Sequence, residues 1–266
     1  MIFPLSSPLS PHLVVLAETG STNTDLVGAT GEPHLAVYAT LSQTAGRGRL
    51  GRTWVAPPGE TLAASVLVDT VAGYGVSLAP GTLAWLPLMA GVAMRSAVES
   101  VVPSGVVALK WPNDVQIDGL KVCGVLAELR TDDDGGLSVV IGSGVNLTLA
   151  ADRLPTPTST SLALHGAEGD GASLADRVLS EYLAGLRLLL DAFVAAGGDA
   201  DASGLRARVV AECTSIGRRV RVELPGGDVL EGEAVSIDEA GRVVVRTSSA
   251  GDVAVSAGDV THLRYE

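Results

Sequence analysis

The sequence has 266 residues, 47% of them hydrophobic, which is enough for one large domain with a core and a second, smaller domain. Its net charge of −12 argues against a nucleic-acid-binding protein, because such proteins usually present a basic face. Two cysteines give no disulfide framework, so we expect a reducing, cytoplasmic location. No two of the four histidines have ligand spacing, which predicts no protein-held zinc. The longest apolar stretch, 78–94, contains prolines and glycines and predicts a buried helix rather than a membrane span.

Short strands dominate the first half of the chain. The hydrophobic pattern predicts strands at 13–16, 35–39, 62–68, 106–109, 121–128, 138–142 and 144–147. A short helix capped by Ser21 or Thr22 and a long helix over 82–101 are also expected. Turn sequences at 116–120 and 132–136 predict hairpins rather than repeated βαβ units. The pattern therefore favours an α+β mixed sheet over a Rossmann fold.

The second half begins with a Pro/Thr/Gly-rich loop, 150–172, and a helix that is expected to start at 173–176 and run to Phe193. A shorter helix follows at 205–213. The predicted strands and turns after it lie at 220–224, 225–228, 229–237, 238–241 and 243–247. Short strands at this spacing predict a small β-barrel, and we place the domain boundary near Ser215, giving domains 1–215 and 216–266.

A loop at 46–52 carries three arginines and three glycines within seven residues. Glycine lets the backbone approach a ligand, and arginine binds carboxylate and phosphate oxygens in a bidentate geometry. In an acidic protein this loop favours a clamp for a small anion. A solvated basic turn and an RNA-binding segment are the alternatives. An RNA site is disfavoured by the 3% aromatic content, since single-strand binding uses stacking rings.

The segment 110–114, Lys-Trp-Pro-Asn-Asp, places a lysine and a carboxylate at one predicted strand-to-turn junction. The lysine can neutralise a phosphate and the asparagine can bind a base edge. The aspartate can hold Mg²⁺ or orient a lysine. The alternative is a surface turn with an exposed tryptophan.

Three further features each have two interpretations. Lys121 opens an apolar strand, and this context alone favours an ammonium that extends to solvent over one that serves a site. The glycine-rich segment 142–146 allows a ligand near the backbone, and Asn146 can hydrogen-bond a polar group. Cys123 is favoured as a core residue over a nucleophile, because no histidine lies near it and apolar neighbours raise the pKa of a thiol.

Taken together, these motifs resemble those of the biotin protein ligases, also called biotin–[acetyl-CoA-carboxylase] ligases. The similarity runs from about Val14 to the end of the chain, with ordered motifs at 20–23, 43–54, 109–115, 119–128 and 142–147. The resemblance implies an α+β fold, in which a mixed-sheet catalytic domain of the biotin/lipoate ligase type is followed by a small SH3-like β-barrel.

The resemblance also implies roles for individual residues, which overlap because both substrates meet in one site. The implied biotin-binding residues are Ser21, Thr22, Asn23, Gln43, Gly46, Arg47, Gly48, Arg49, Lys121 and Gly124. The implied ATP-binding residues are Arg47, Arg49, Arg52, Trp54, Lys110, Asn113, Asp114, Lys121 and Asn146. The implied catalytic residues are Lys121, Arg47, Lys110 and Asp114, with Asp114 also contacting Mg²⁺ that arrives with ATP.

The implied reaction joins biotin to ATP as biotinyl-5′-adenylate, releases pyrophosphate, and transfers biotin to a specific lysine. That lysine belongs to a biotin carboxyl carrier protein domain of an acyl-CoA carboxylase. Family members that also repress transcription carry an N-terminal helix-turn-helix domain, whereas about a dozen residues precede the ligase-like region here. We therefore expect ligase activity without nucleic-acid or membrane binding, in a monomer or a homodimer.

Two other functions are alternatives. A lipoate ligase would share the fold class, but this chain carries the biotin-type Gly-Arg-Gly-Arg-x-Gly-Arg loop. A non-enzymatic effector-binding regulator would not need Lys110, Asp114 and Lys121 together.

Overall fold

A seven-stranded mixed sheet organises the larger part of the protein. The computed structural model describes residues 2–131, 136–224, 227–256 and 259–262. The strands of the larger part are β1 (Leu13–Leu16), β2 (Val37–Thr40), β3 (Gly46–Arg47), β4 (Thr53–Trp54), β5 (Thr61–Val68), β6 (Val107–Lys110), β7 (Asp114–Ile117), β8 (Leu120–Thr131) and β9 (Leu137–Asn146). Strands β3 and β4 form a separate hairpin, and the other seven form the sheet in the order β1-β2-β5-β9-β8-β7-β6.

Hairpin connections account for most of this sheet. Only β1 and β2 are parallel among its neighbouring strands in the described part of the chain, and the remaining pairs are antiparallel. At the β7–β8 turn, Asp118 and Gly119 have φ angles of 51° and 81°. Two consecutive positive φ angles are typical of a tight two-residue hairpin turn, as the sequence predicted there. The turn predicted at 132–136 falls largely outside the described residues.

Helices cover the sheet on both faces. They are α1 (Thr22–Gly28), α2 (Thr70–Tyr74), α3 (Leu86–Val101), α4 (Gly171–Ala195) and α5 (Leu205–Glu212). Short 3₁₀ turns lie at Ser7–Leu9, Arg49–Gly51, Pro80–Trp85, Ala151–Arg153 and Ala163–His165. The helix predicted over 82–101 therefore starts as a 3₁₀ turn and becomes α-helical at Leu86, where Pro87 suits the first turn.

The two faces of the sheet bury different clusters. Val66 belongs to the main core beneath α3 and α4, whereas the next residue, Leu67, packs with Leu26 of α1 on the opposite face. Successive side chains of a strand point to opposite faces, so β5 is buried on both sides. Cys123 lies in the main core with no exposed surface, and burial raises the pKa of its thiol. The interpretation of Cys123 as a core residue is confirmed.

Helix α4 begins earlier than the sequence predicted. Asp170 caps it by accepting a 2.8 Å hydrogen bond from the backbone N–H of Ser173, so the start expected at 173–176 is wrong by a few residues. Asp176, interpreted as part of the cap, instead accepts hydrogen bonds from the backbone N–H groups of Leu5 and Ser6, at 3.0 and 2.9 Å. This buried carboxylate ties the N-terminal segment to α4.

A five-stranded antiparallel sheet forms the second, smaller part. Its strands are β10 (Arg219–Glu223), β11 (Val229–Ile237), β12 (Val243–Thr247), β13 (Gly251–Val255) and β14 (Asp259–His262), in the order β13-β12-β11-β10-β14. The turn predicted at 225–228 lies partly outside the described residues. The mixed sheet followed by this small antiparallel sheet confirms the predicted fold class.

Two tryptophans of the larger part hold the β11–β12 turn of the small sheet. Trp85 Nε1 donates to the carbonyl of Glu239 at 2.9 Å, and Trp111 Nε1 donates to the carbonyl of Gly241 at 3.2 Å. Trp111 is 3% exposed, so the interpretation of segment 110–114 as a surface turn with an exposed tryptophan is wrong. In the described part of the chain, no helix is long and apolar enough to cross a membrane.

Candidate active site

A cavity of about 310 Å³ lies between the β3–β4 hairpin and strands β7, β8 and β9. Fourteen of the sixteen residues implied by the motifs line it: Ser21, Thr22, Asn23, Gln43, Arg47, Gly48, Arg49, Arg52, Trp54, Lys110, Asn113, Asp114, Lys121 and Gly124. These residues come from five separate stretches of the sequence, so the fold brings together the motifs that the sequence separates.

The Arg-Gly loop forms one wall of the cavity. Gly46 pairs with Trp54 and Arg47 with Thr53 across the β3–β4 hairpin. A Cβ atom at Gly46 would lie 2.6 Å from both the Gln43 amide nitrogen and the Trp54 carbonyl, so this position requires glycine. The hairpin thereby holds Trp54 over the sheet.

The indole of Trp54 lies on the glycines of strands β8 and β9. A Cβ atom at Gly144 would overlap the ring, and one at Gly124 would lie 3.4 Å from it. The sequence predicted that the glycines of segment 142–146 let a ligand approach the backbone, and in this structure an indole approaches Gly144. Trp54 Nε1 is buried without a hydrogen-bond partner among the described residues, which leaves a donor for a bound molecule.

Neutral hydrogen-bonding groups cluster at the start of α1. The Ser21 hydroxyl caps the helix, and the backbone N–H of Thr22 donates to Gln43 Oε1 at 3.0 Å. Ser65, in the middle of apolar strand β5, donates its hydroxyl to Asn23 Oδ1 at 2.6 Å. A Cβ atom at Gly142 would overlap the Asn23 carboxamide, so glycine is needed there. This end of the cavity suits a neutral ligand with several donors and acceptors.

Charged groups cluster at the opposite end. Lys110 of β6 lies directly across from Asp114 of β7, and Asp114 lies across from Gly124 of β8. Lys121 Nζ is 2.6 Å from Asp114 Oδ1 and 5.6 Å from the centroid of the Trp54 ring. The sequence has two lysines, and both line this cavity. Lys121 therefore faces the site, and the interpretation of its ammonium as a solvent-directed group is wrong.

Burial shapes the electrostatics of the cationic end. Burial lowers the pKa of Lys110, and the nearby charges of Lys121 and Arg52 lower it further, against the opposing effect of Asp114. Burial also lowers the pKa of the Arg49 guanidinium. A bound anion would restore the favourable environment of these cations, so the cavity is built to receive negative charge.

Sheet geometry sets the distance between the two ends. Gly142 pairs with Leu126, and Gly144 pairs with Gly124, in the β8–β9 ladder. Two residues along a strand span about 7 Å, and each neighbouring strand adds about 4.8 Å. The neutral end over Gly142 and Lys110 of β6 are therefore two residues and three strand spacings apart, which suits an elongated ligand.

The chain matches known protein families over most of its length. Residues 16–146 match the biotin/lipoate A/B protein ligase family, and residues 215–263 match the biotin protein ligase C-terminal domain. It is 38% identical over 258 residues to the biotin–[acetyl-CoA-carboxylase] ligase of Mycobacterium tuberculosis, covering 95% of this chain and 90% of that protein. The chain belongs to the biotin protein ligase family. The family and the enzyme class that the motifs predicted are confirmed.

Solved structures of biotin protein ligases share the fold. The enzyme from Aquifex aeolicus in complex with biotin and ATP is 25% identical, with a TM-score of 0.72 over 96% of this chain and 100% of that chain. The enzyme from Leishmania major in complex with biotinyl-5-AMP is also 25% identical, with a TM-score of 0.54 over 96% of this chain and 99% of that chain.

Two implied biotin ligase residues do not line the cavity. Gly46 shapes the hairpin, as described above. Asn146 is 1% exposed, and its Nδ2 donates to the carbonyl of Thr160 at 2.8 Å, which ties the loop after β9 to that strand. Their ligand-binding roles remain predictions.

Several residues near the site were missed by sequence reasoning. Ser65 supports the neutral end, and Glu223 and Val260 reach the cavity from the small sheet. A hydroxyl within an apolar strand was a usable signal for Ser65. No local pattern marks Glu223 or Val260, because only the packing of the two sheets brings them to the site.

No group of three or more His, Cys, Asp or Glu side chains that could hold a metal ion occurs in the described parts of the chain. One carboxylate together with phosphate oxygens is, however, a usual way for a protein to bind Mg²⁺. Asp114 lines the cavity and is a carboxylate of this kind, so it could share a magnesium ion with the phosphates of a bound nucleotide, although Lys121 also pairs with its Oδ1.

Proposed function

We propose that this cavity activates biotin with ATP to give biotinyl-5′-adenylate and pyrophosphate, and then transfers biotin to a lysine of a biotin carboxyl carrier protein domain. The observation that carries the proposal is the pairing of a neutral hydrogen-bonding end with a cationic end in one cavity of a biotin protein ligase family member. The complexes of relatives with biotin, ATP and biotinyl-5-AMP support it.

The two ends assign the substrates. We place the uncharged ureido ring of biotin against Ser21, Thr22, Asn23 and Gln43, whose amides and hydroxyls match its donors and acceptors. The biotin carboxylate then points along the cavity towards Lys121. The phosphates of ATP belong beside Lys110, Arg49 and Arg52, where burial of the cations favours an anion.

The first step joins two anions that repel each other. One oxygen of the biotin carboxylate attacks the α-phosphorus of ATP, and the bond from that phosphorus to the pyrophosphate oxygen breaks. Lys121 neutralises charge on both reactants, and Asp114 orients its ammonium through the 2.6 Å ion pair. Mg²⁺ held by the phosphates and Asp114 would supply further neutralisation of the leaving pyrophosphate.

The second step needs a dry site, because water destroys a mixed anhydride. The Arg-Gly hairpin forms one wall of the cavity, and we assign it the role of excluding water until an acceptor arrives. The acceptor amine attacks the biotin carbonyl carbon, loses a proton, and AMP leaves with the bridging oxygen. No enzyme nucleophile takes part.

A three-substrate exchange assay tests this function. Purified protein is incubated with ATP, Mg²⁺ and labelled pyrophosphate, with biotin, lipoate or neither. Label that enters ATP when biotin is present, but not when lipoate is present, supports the proposal. Label that enters ATP only when lipoate is present identifies a lipoate ligase. Biotin binding without exchange identifies a regulator. When a carrier protein domain is added to the reaction with biotin, the mass of that domain should increase by one biotinyl group, attached at one lysine.

The division of labour within the chain is part of the proposal. We assign residues 1–215 to catalysis and 216–266 to a barrel that completes the cavity through Glu223 and Val260. The two buried free cysteines suit a reducing cytoplasm. The net charge of −12 favours a protein acceptor over a nucleic acid, with the enzyme acting as a monomer or a homodimer.

A further inference from the structure

Glu128 lies behind the neutral end of the cavity, and the mechanism above does not use it. Its Oε2 accepts a hydrogen bond from Arg47 of the Arg-Gly hairpin at 2.9 Å and another from Asn23 of α1 at 2.8 Å. The three residues are far apart in the sequence. We propose that Glu128 is a positioning residue that couples closure of the hairpin to the orientation of the Asn23 amide. This inference rests on the proposed function, because it assigns Asn23 to biotin.

The carboxylate fixes which way the Asn23 amide points. An ionised carboxylate only accepts hydrogen bonds, so it must face the Nδ2 donor of Asn23. The same nitrogen donates to the carbonyl of Leu126 at 3.2 Å, and Oδ1 accepts from Ser65 at 2.6 Å. A glutamine at position 128 could face either end of the amide, so the orientation would lose one of its constraints.

The same oxygen also tethers the hairpin. Strands β3 and β4 are two residues long each, and so short a hairpin is marginal by itself. The Arg47–Glu128 ion pair is charge-assisted and joins the hairpin to β8, in the sheet. At the cationic end, the Arg49–Asn113 contact is longer, at 3.4 Å. Glu128 therefore holds the hairpin at the neutral end of the cavity, to which we assign biotin.

One oxygen shared by both partners has a functional consequence. When the hairpin lifts away, the Glu128 carboxylate loses its hydrogen bond from Arg47. When the Asn23 amide turns, the same carboxylate loses its hydrogen bond from Asn23. Closure and biotin seating then reinforce each other, and the adenylate stays enclosed until the acceptor arrives. Loss of the carboxylate should loosen the hairpin even without substrates and should let adenylate escape.

Glu128→Gln tests the tether directly, with Glu99→Gln as the matched control. Glu99 also pairs with an arginine, Arg95, but on the exposed side of α3. Without ligands, trypsin should cleave after Arg47 about threefold to tenfold faster in Glu128→Gln than in the wild type or the control. Equal cleavage rates in the two glutamine variants would overturn the proposal. Glu128→Asp shortens the side chain by one methylene and so draws the carboxylate away from both partners; it should also speed cleavage after Arg47, and it provides the same comparison if Glu128→Gln does not fold.

A double-mutant cycle tests the coupling. The rate at which preformed biotinyl-adenylate leaves the protein is measured for the wild type, Arg47→Gln, Glu128→Gln and the double variant. Release should rise in each single variant, and Glu128→Gln should add much less in the Arg47→Gln background. Equal factors in both backgrounds would show that Glu128 does not act through Arg47 and would refute the tether on which the coupling depends. Failure of the wild type to form adenylate would instead overturn the proposed function, while the ligand-free cleavage comparison would still decide the tether.

Discussion

Replacement of Lys121 by alanine should remove most of the adenylation rate while leaving the protein folded. Lys121 Nζ lies 2.6 Å from Asp114 and faces the cavity beside Trp54. A charge developing about 4 Å from this ammonium interacts with it by about 4 kcal/mol at an effective dielectric constant of ~20. Loss of one preorganised group of this kind typically costs about 3–4 kcal/mol. Since 1.36 kcal/mol is a factor of ten in rate, the expected loss is about 10²- to 10³-fold.

The effect on stability should be far smaller. The Lys121 side chain is 32% exposed, and an ion pair this accessible contributes about 0–1 kcal/mol to folding. Asp114 also keeps Lys110 as its cross-strand neighbour. Arg246→Ala is a suitable control, because it removes a cation paired with Asp252 at the edge of the small sheet.

The role of Lys121 is tested by measuring steady-state pyrophosphate exchange and thermal unfolding. Both measurements are made on Lys121→Ala, Lys121→Arg and the Arg246→Ala control. The alanine variant should lose turnover with a modest shift in melting temperature, and the arginine variant should retain part of the rate through its charge. If Lys121→Ala exchanges pyrophosphate within about threefold of the wild type while folded, the role assigned to Lys121 is wrong.

Three further predictions concern other parts of the site. Gly142→Ala should raise the KM for biotin at least about tenfold, with little change in the KM for ATP, because the new Cβ overlaps the Asn23 carboxamide. The control is Gly28→Ala, where a Cβ meets open space. An equal KM for biotin in the two variants would refute this prediction. Burial lowers the pKa of Lys110, so its phosphate-binding charge is present at low pH and lost as pH rises through that pKa. An amine-reactive reagent should therefore label Lys110 at lower pH than a model lysine peptide, and ATP should suppress labelling; identical pH profiles would contradict the assignment. Trp111→Phe should lower the free energy of unfolding by about 1 kcal/mol through loss of its hydrogen bond to the β11–β12 turn, and an unchanged denaturant midpoint would count against that contact.

Much of the site could be predicted because its chemistry is concentrated in short motifs. Loop 46–52 and segment 110–114 each carry several charged or amide side chains close together, and both line the cavity. The hairpin turn at 116–120 also explains why Lys121 approaches Asp114, because it folds β8 back along β7. Where function and local geometry lie in adjacent residues, sequence reasoning succeeds.

The remaining features depend on contacts between distant segments. Asp176 is spaced from Ser173 like a helix cap, but its carboxylate is taken by the N-terminal segment, and Asp170 caps the helix instead. Glu128 ends the apolar stretch 121–128 within β8 and looks like an ordinary solvated residue until the hairpin places Arg47 beside it. Glu223 reaches the cavity only because the small sheet packs against the larger part of the protein. Such placements have no local sequence signal.

The fate of the biotin carboxylate oxygen tests the central claim most directly. Biotin labelled with ¹⁸O in both carboxylate oxygens is incubated with the enzyme, ATP, Mg²⁺ and a carrier protein domain through many turnovers, and the products are analysed by mass spectrometry. Attack on the α-phosphorus predicts one ¹⁸O atom in each AMP, one in the biotinyl amide, and none in pyrophosphate. Unlabelled AMP, or ¹⁸O in orthophosphate or pyrophosphate, would contradict adenylate formation in this cavity.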